Sequence, residues 1–352
     1  MDPAISGRVH RFDFRGTHQQ LADFLGIFDS SPSSNVSSIR LQIQFDQRGH
    51  NEPPERVARF LSSPFPKLSV IDIKNFLPDP ISPIFATSNL TSLKLDFYAG
   101  NGRRYTLSQF SQILQRHPNL RELDLQNGGI PLLEPSESSA PFVLPQLAYL
   151  RLHGMKPAIM EFIDFIGMSS PLHNVAIYFQ ELYNLTVPVF TDTVKKVLAA
   201  YYGCPGMDCP RKVNRLLISS TFLKNDLIFD AGSHSTSGAP CPTSNLKLQF
   251  SGLSGMGDDS QLLEKTLPLF PLEHVHEFNA EALDLVADDW RRMLREMKQL
   301  SCLRLDDLDI GPVLDALGFD NQGVYEGATN SRKLVTQMQT IRFDRPPPNY
   351  NH

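Results

Sequence analysis

Four cysteines, ten histidines and a few acidic pairs are the residues of this chain with the means to do chemistry, and spacing decides what they do. Cys204-Pro-Gly-Met-Asp-Cys209 with Cys241 falls short of structural zinc. Such sites take four ligands, usually in two close pairs, and Cys241 has no close partner. On a strand, His274 and His276 would place both rings on one side, a thin basis for a metal. Cys302 reads as an unreactive thiol on a strand. In Gly252-Leu-Ser-Gly-Met256 the last glycine of a nucleophile elbow is missing, so Ser254 does not read as a hydrolase serine unless a histidine lies within hydrogen-bond reach. Gly255-Met-Gly257-Asp-Asp-Ser260 lacks the third glycine of a dinucleotide fingerprint, and no phosphate loop occurs. Asp288-Asp289 and Asp306-Asp307 read as a helix start and a strand end. The residues therefore predict a chain that is not an enzyme, with no catalytic residue, cofactor or metal.

Bulk properties narrow the partners. A net charge of -5 gives no basic field for nucleic acid. No run of about 18 apolar residues exists, so no membrane span is expected. The first residues, Met1-Asp-Pro-Ala-Ile-Ser-Gly-Arg8, carry no apolar run of the signal-peptide kind. Four cysteines in 352 residues are too few for a disulfide scaffold and point to a reducing compartment, cytoplasmic or nuclear. In such a compartment the sequons at Asn35, Asn89 and Asn184 are chance matches.

The elements that must position these side chains come from one recurring phrase, apolar-x-x-apolar-x-apolar. Its clearest copies are Leu90-Thr-Ser-Leu93-Lys-Leu95, Leu120-Arg-Glu-Leu123-Asp-Leu125, Leu147-Ala-Tyr-Leu150-Arg-Leu152 and Leu300-Ser-Cys-Leu303-Arg-Leu305. Weaker copies start at Val9, Val36, Leu68, Leu172, Val213, Thr243, Leu272 and Met338. The starts are 22 to 41 residues apart, a leucine-rich repeat period with irregular connections. Side chains alternate along a strand, so Leu123 and Leu125 enter a core while Glu122, Asp124 and Gln126 face away from it.

A return to the next parallel strand needs a dozen or more residues and often a helix. Thr106-Leu-Ser-Gln109 and Thr17-His-Gln-Gln20 read as capping boxes. The first leads a stripe of Leu107, Phe110, Ile113 and Leu114, ended by Pro118; the second leads Leu21, Phe24, Leu25 and Phe28. Pro157 suits a first helical turn before Ile159, Phe162, Ile163 and Ile166, with Gly167 as the C-terminal cap. Trp290, Met293, Leu294 and Met297 form a fourth stripe. The expected fold is α/β: a leucine-rich repeat solenoid, or horseshoe, of about twelve irregular repeats over residues 1–344, with a parallel sheet on the concave side and helices outside. Proline- and serine-rich stretches at 131–141, 203–210 and 231–242 read as loops, and 345–352 as a disordered tail.

His117-Pro-Asn-Leu-Arg-Glu-Leu-Asp-Leu125, Leu144-Pro-Gln-Leu-Ala-Tyr-Leu-Arg-Leu152 and Phe65-Pro-Lys-Leu-Ser-Val-Ile-Asp-Ile73 resemble the divergent leucine-rich repeats of fungal F-box-type proteins. The likeness runs roughly from Val9 to Phe343. The resemblance implies a protein–protein interaction domain like the substrate-recognition repeats of an F-box-type ubiquitin ligase receptor. In that family an N-terminal F-box binds a Skp-type adaptor. No Leu-Pro-x-Glu-like opening precedes the first repeat here, so the chain is expected to be the repeat region alone, with the adaptor a partner only through an upstream F-box. The alternative is a stand-alone repeat scaffold or regulator with no ubiquitin connection.

The residue between the last two apolar positions of each copy should lie mid-strand on the open face. In order these are Asp13, Arg40, Asp72, Lys94, Asp124, Arg151, Ala176, Leu217, Lys247, His276, Arg304 and Arg342. The first six alternate in sign, and strands about 4.8 Å apart let them pair. Two readings stay open. One is a solvated ladder of ion pairs, each worth ~0.2–1 kcal/mol. The other is a partner-binding stripe whose basic half (Lys247, His276, Arg304, Arg342) suits an acidic or phosphorylated protein. Tyr149 and Tyr178, with His153 nearby, are either interface anchors or packing under a loop.

Overall fold

The computed structural model describes residues 9–27, 35–44, 55–97, 104–132, 142–167, 172–182, 186–202, 213–221, 226–232, 245–251, 253, 259–306, 308–319 and 338–343. Cys204, Cys209, Cys241, Ser254, Asp307 and the segment 345–352 lie outside these residues. The chain divides into two compact units, Met1–Leu172 and His173–His352. The boundary falls at the first apolar position of one copy of the phrase. Both units are α/β, with strands that are mostly parallel.

In the first unit the strands β1 (Arg11–Gly16), β2 (Ser38–Ile43), β3 (Val70–Lys74), β4 (Ser92–Phe97), β5 (Glu122–Asn127) and β7 (Tyr149–Met155) pair in that order. Every pair is parallel, and the register carries equivalent positions of the phrase into line. Ile39, Ile71, Leu93, Leu123 and Leu150 form one apolar column, and Leu41, Ile73, Leu95, Leu125 and Leu152 the next. All ten are buried. The first apolar position of the phrase is buried as well, at Leu68, Leu90, Leu120 and Leu147. Burying a leucine side chain contributes about 1.5–3 kcal/mol, so these columns are the main force holding the ladder together.

Between that first position and the strand runs a second repeated device. The carbonyl of His10 accepts from the backbone N–H groups of both Ser37 and Ser38. Ser37, Ser69, Thr91 and Arg121 carbonyls take two successive N–H groups in the same way from the following strand. Where a hydroxyl stands at this position it adds a third donor: Ser37 Oγ to His10 O at 3.0 Å, Ser69 Oγ to Ser37 O at 3.0 Å and Thr91 Oγ1 to Ser69 O at 3.1 Å. Each turn of the array is thus tied to the one before it at the same place.

The helices follow the sequence signals. α1 (His18–Ile27) opens on Thr17, whose hydroxyl accepts from Gln20 N while Gln20 Oε1 accepts from Thr17 N. Thr106 and Gln109 make the same reciprocal pair before α3 (Leu107–Gln115), which buries Leu107, Phe110, Ile113 and Leu114. α2 (Glu55–Leu61) packs on α1, where Phe60 lies 5.0 Å from Phe12 of β1. α4 (Lys156–Phe165) has Pro157 in its first turn and buries Ile159, Phe162 and Ile163. One correction applies at its end. Gly167 is not the cap: Ile166 caps the helix, and Ile166–Gly167 form a short strand, β8, beside β6 (Phe142–Val143). Phe142 of β6 stacks on Phe165, the last helical residue, at 6.2 Å.

The second unit contains β9 (Asn174–Gln180), β10 (Arg215–Thr221), β11 (Asp226–Gly232), β12 (Asn245–Phe250), β13 (Glu277–Glu281), β14 (Cys302–Asp306) and β15 (Thr340–Phe343). Their order is β9-β12-β11-β10-β13-β14-β15. β11 runs antiparallel to both its neighbours, and the other pairs are parallel. The repeat pattern predicts parallel neighbours throughout, in sequence order, and here that expectation is corrected. Only four residues, 222–225, join β10 to β11, too few for a crossover, so the chain must fold back as a hairpin. Leu227, Phe229 and Ala231 are the buried face of this extra strand. α5 (Val187–Tyr202), α6 (Asp259–Thr266), α7 (Ala287–Glu296) and α8 (Gly311–Leu317) complete the unit. Phe190 of α5 meets Phe250 at 4.5 Å, and Trp290 of α7 meets Phe278 at 6.4 Å, so both helices pack on the apolar side of the strands. Asp288 and Asp289 stand in the first turn of α7, where carboxylates suit the helix N-terminus.

Candidate functional site

With the leucines turned inward, the other side of the first unit's strands carries three rows of side chains in register. The middle row is Asp13, Arg40, Asp72, Lys94, Asp124 and Arg151, in unbroken order from β1 to β7. Toward the strand starts lie Arg11, Ser38, Val70, Ser92, Glu122 and Tyr149. Toward the strand ends lie Arg15, Gln42, Lys74, Asp96, Gln126 and His153. Strand alternation therefore brings Tyr149, Arg151 and His153 together on one face of β7, as the phrase predicts.

The charges pair, though not always along the row. Arg40 Nε sits 4.0 Å from Asp72, and Arg151 Nη1 3.9 Å from Asp124. Lys94 instead reaches diagonally to Glu122 at 2.6 Å, and Ser92 donates to the other oxygen of that carboxylate at 2.6 Å. Burial pushes the Glu122 carboxyl up, but Lys94 and Ser92 together outweigh it and hold it below the ordinary value. Asp124 is recessed, with 6% of its surface exposed. Burial raises its pKa despite a 3.0 Å hydrogen bond from Gln126 and the charges of Arg151 and Lys94. Asp72 is raised for the same reason, against Lys74, Lys94 and Arg40. Burial, then the Arg151 charge, lowers the pKa of His153, which favours a neutral ring.

In the second unit the predicted residues separate into two groups. Lys247 of β12 lies beside β9, its ammonium 5.8 Å from the centre of the Tyr178 ring, a cation–π contact. Across from it in register stands Asp230 of β11. Farther along the strand order, Arg304 and Arg342 are register partners on β14 and β15. Arg304 Nε is 3.1 Å from Glu277 Oε1, and Arg215 Nε is 4.0 Å from the same oxygen. Carboxylates thus stand among the bases that the sequence reading groups into a basic half.

His276 is corrected. The row position on β13 belongs to Asn279, which registers with Leu217 and Arg304. His276 precedes the strand at the doubly accepting position: its carbonyl receives the N–H groups of Ser301 and Cys302. The reason is visible in the copy at Leu272, whose third apolar position is Glu277; the core-facing pair is Phe278 and Ala280. His274 ends a 3-10 turn, Leu272–His274, so it does not share a strand with His276. Two site residues escape the sequence: Glu277, because the copy at Leu272 sets it at an apolar position, and Asp230, because β11 lies in what reads as a connection. The signal for β11 is the alternation Leu227-x-Phe229-x-Ala231.

Among the described residues, no group of three or more His, Cys, Asp or Glu is placed to hold a metal ion. Among them too, no helix is long and apolar enough to cross a membrane. The arrangement on these faces can do one thing well: present charge, hydrogen-bonding groups and a few aromatic rings at fixed spacing. A scan of the chain against protein-family models gives no match, and a search of curated proteins gives none.

Proposed function

We propose that this chain is a protein–protein interaction domain, a leucine-rich repeat horseshoe of the kind F-box-type ubiquitin ligase receptors use to recognise substrates. Its contact surface is the polar side of the strands, centred on Tyr149, Arg151 and His153. The observation that carries this reading is the six-strand register of the first unit, which holds eighteen side chains in three rows on one face. A rigid backbone holding adaptable polar groups and a tyrosine is the make-up of a recognition surface. The doubly accepting carbonyls and buried first leucines support the repeat assignment. An acidic or phosphorylated partner at Arg304 and Arg342 has less support, since the same row continues through the uncharged Asn279 and Leu217.

The test is capture from the cells that make the protein, with the chain carrying Tyr149→Ala, Arg151→Glu and His153→Ala as the comparison. The expected result is a defined partner retained by the unaltered chain and lost from the variant. Co-capture of a Skp-type adaptor would support the receptor reading, and its absence beside a retained partner would favour a scaffold. Equal retention by both chains would remove this face from the account.

A further inference from the structure

We propose that the polar face of the first unit receives an α-helix of a partner protein, laid across the strands and carrying charges of alternating sign one turn apart. This rests on the recognition reading above and names the chemistry of the partner. The argument is one of matched spacing. From β1 to β7 the middle row reads acid, base, acid, base, acid, base, at Asp13, Arg40, Asp72, Lys94, Asp124 and Arg151. Neighbouring strands are about 4.8 Å apart, so the sign reverses every ~4.8 Å and the row spans about 24 Å. A helix presents one side chain per turn on a given face, every ~5.4 Å, and five turns span about 27 Å. The mismatch is about 0.6 Å per step, within the play of long charged side chains.

Other backbones fit less well. An extended strand shows a side chain to one face every ~6.6 Å, which falls out of phase with the row within two steps. A polyproline helix repeats every ~9.3 Å, which meets every second member of the row and leaves the opposite sign unanswered. Only an α-helix tracks all six.

Relief and width agree with spacing. From β2 to β7, Arg40, Lys94 and Arg151 keep 44%, 31% and 36% of their side-chain surface, whereas Asp72 and Asp124 keep 19% and 8%; Asp13, at the end of the row, keeps 55% and pairs with Arg11. A complementary helix sets short Glu or Asp against the projecting bases and long Lys or Arg against the recessed acids. The flanking rows lie about 6.6 Å to either side, the separation that borders a helix about 10–12 Å wide. Oppositely charged residues one turn apart also stabilise the incoming helix by themselves.

The experiment uses the full chain and two labelled synthetic helices of about 19 residues. One carries Lys and Glu alternating at successive facing positions. The other reverses sign only at every second facing position, so that half its charges meet like charges. Fluorescence anisotropy at low salt should show the alternating helix binding about tenfold or more tightly, with the difference shrinking as salt rises. Equal affinity for the two helices overturns the inference, and this comparison needs no altered protein. As a second arm, Asp72→Lys with Lys94→Asp keeps the net charge but breaks the alternation, and should shrink the preference between the two helices to about twofold or less; a preference left intact also counts against the inference. Should the helices bind alike while capture still depends on Tyr149, Arg151 and His153, the recognition reading stands and this inference alone fails.

Discussion

His117 is fully buried at the turn that leads into β5, its N–H bonded to Leu114 O and its carbonyl accepting from Leu120. Burial takes its pKa from 6.5 to about 4; the Arg116 charge adds to the fall, and the backbone at Phe85 and Thr87 offsets part of it. Between these values the unfolded chain binds a proton that the folded chain refuses, so stability rises with pH across this window. The ring therefore costs nothing above pH 6.5, and acid removes stability progressively as pH falls toward 4. The whole gap converts to ~3 kcal/mol. His117→Leu should flatten the slope of folding free energy against pH between 4 and 6.5, as read from urea titrations at several pH values. An unchanged slope would mean that other groups set the acid sensitivity. At this scale the sequence shows which residues are present but not how deep they sit. The alternating signs of the middle row are plain in the string of letters. The recessed position of Asp124 and the diagonal reach of Lys94 to Glu122 depend on distances between strands and are not.

At the scale of the element, the repeated phrase, the capping boxes at Thr17 and Thr106 and the stripes of α3 and α7 are legible because each rests on local periodicity. What escaped depends on partners distant in sequence. β11 is recognisable as a strand only once the four-residue link after β10 is seen to forbid a crossover. His276 was displaced from the row by a copy of the phrase whose third position is Glu277, and α4 ends at an Ile166 cap that pairs with β6, a strand the local pattern does not reveal. The turn after β5 makes a further requirement. Asn127 takes a positive φ of 53°, its amide donates to Asp96 Oδ1 at 2.9 Å, and Gly129 follows against the backbone of β4. A β-carbon at Gly129 would overlap the Leu95 carbonyl oxygen. That oxygen belongs to a strand interior and cannot step aside, so Gly129→Ala should cost about 1–3 kcal/mol. Thermal unfolding would register this as a lowered midpoint; an unshifted midpoint would show that the turn is free to move away from β4.

At the scale of the whole molecule, the second unit breaks the pattern with the antiparallel β11, whereas in the first unit irregularity is carried by connections while the strand phrase stays constant. There the returns from β1, β2 and β4 use α-helices, that from β3 to β4 uses a 3-10 turn, Pro83–Phe85, and that from β5 to β7 passes through β6, yet the strand register is unbroken. That economy suits a surface whose value lies in fixed spacing between strands and not in an enclosed cleft. In the first unit the apolar side of the strands is buried and the other side carries the three polar rows, the contact surface we propose. The most direct test is to measure the affinity of the captured partner for two single charge reversals of equal size. One is Arg151→Glu on the strand face; the other is Arg59→Glu on α2, an exposed arginine paired with Glu55. A contact surface on the strand face requires a loss of about tenfold or more for Arg151→Glu and less than about twofold for Arg59→Glu. Equal losses, or a larger one at Arg59, would contradict it.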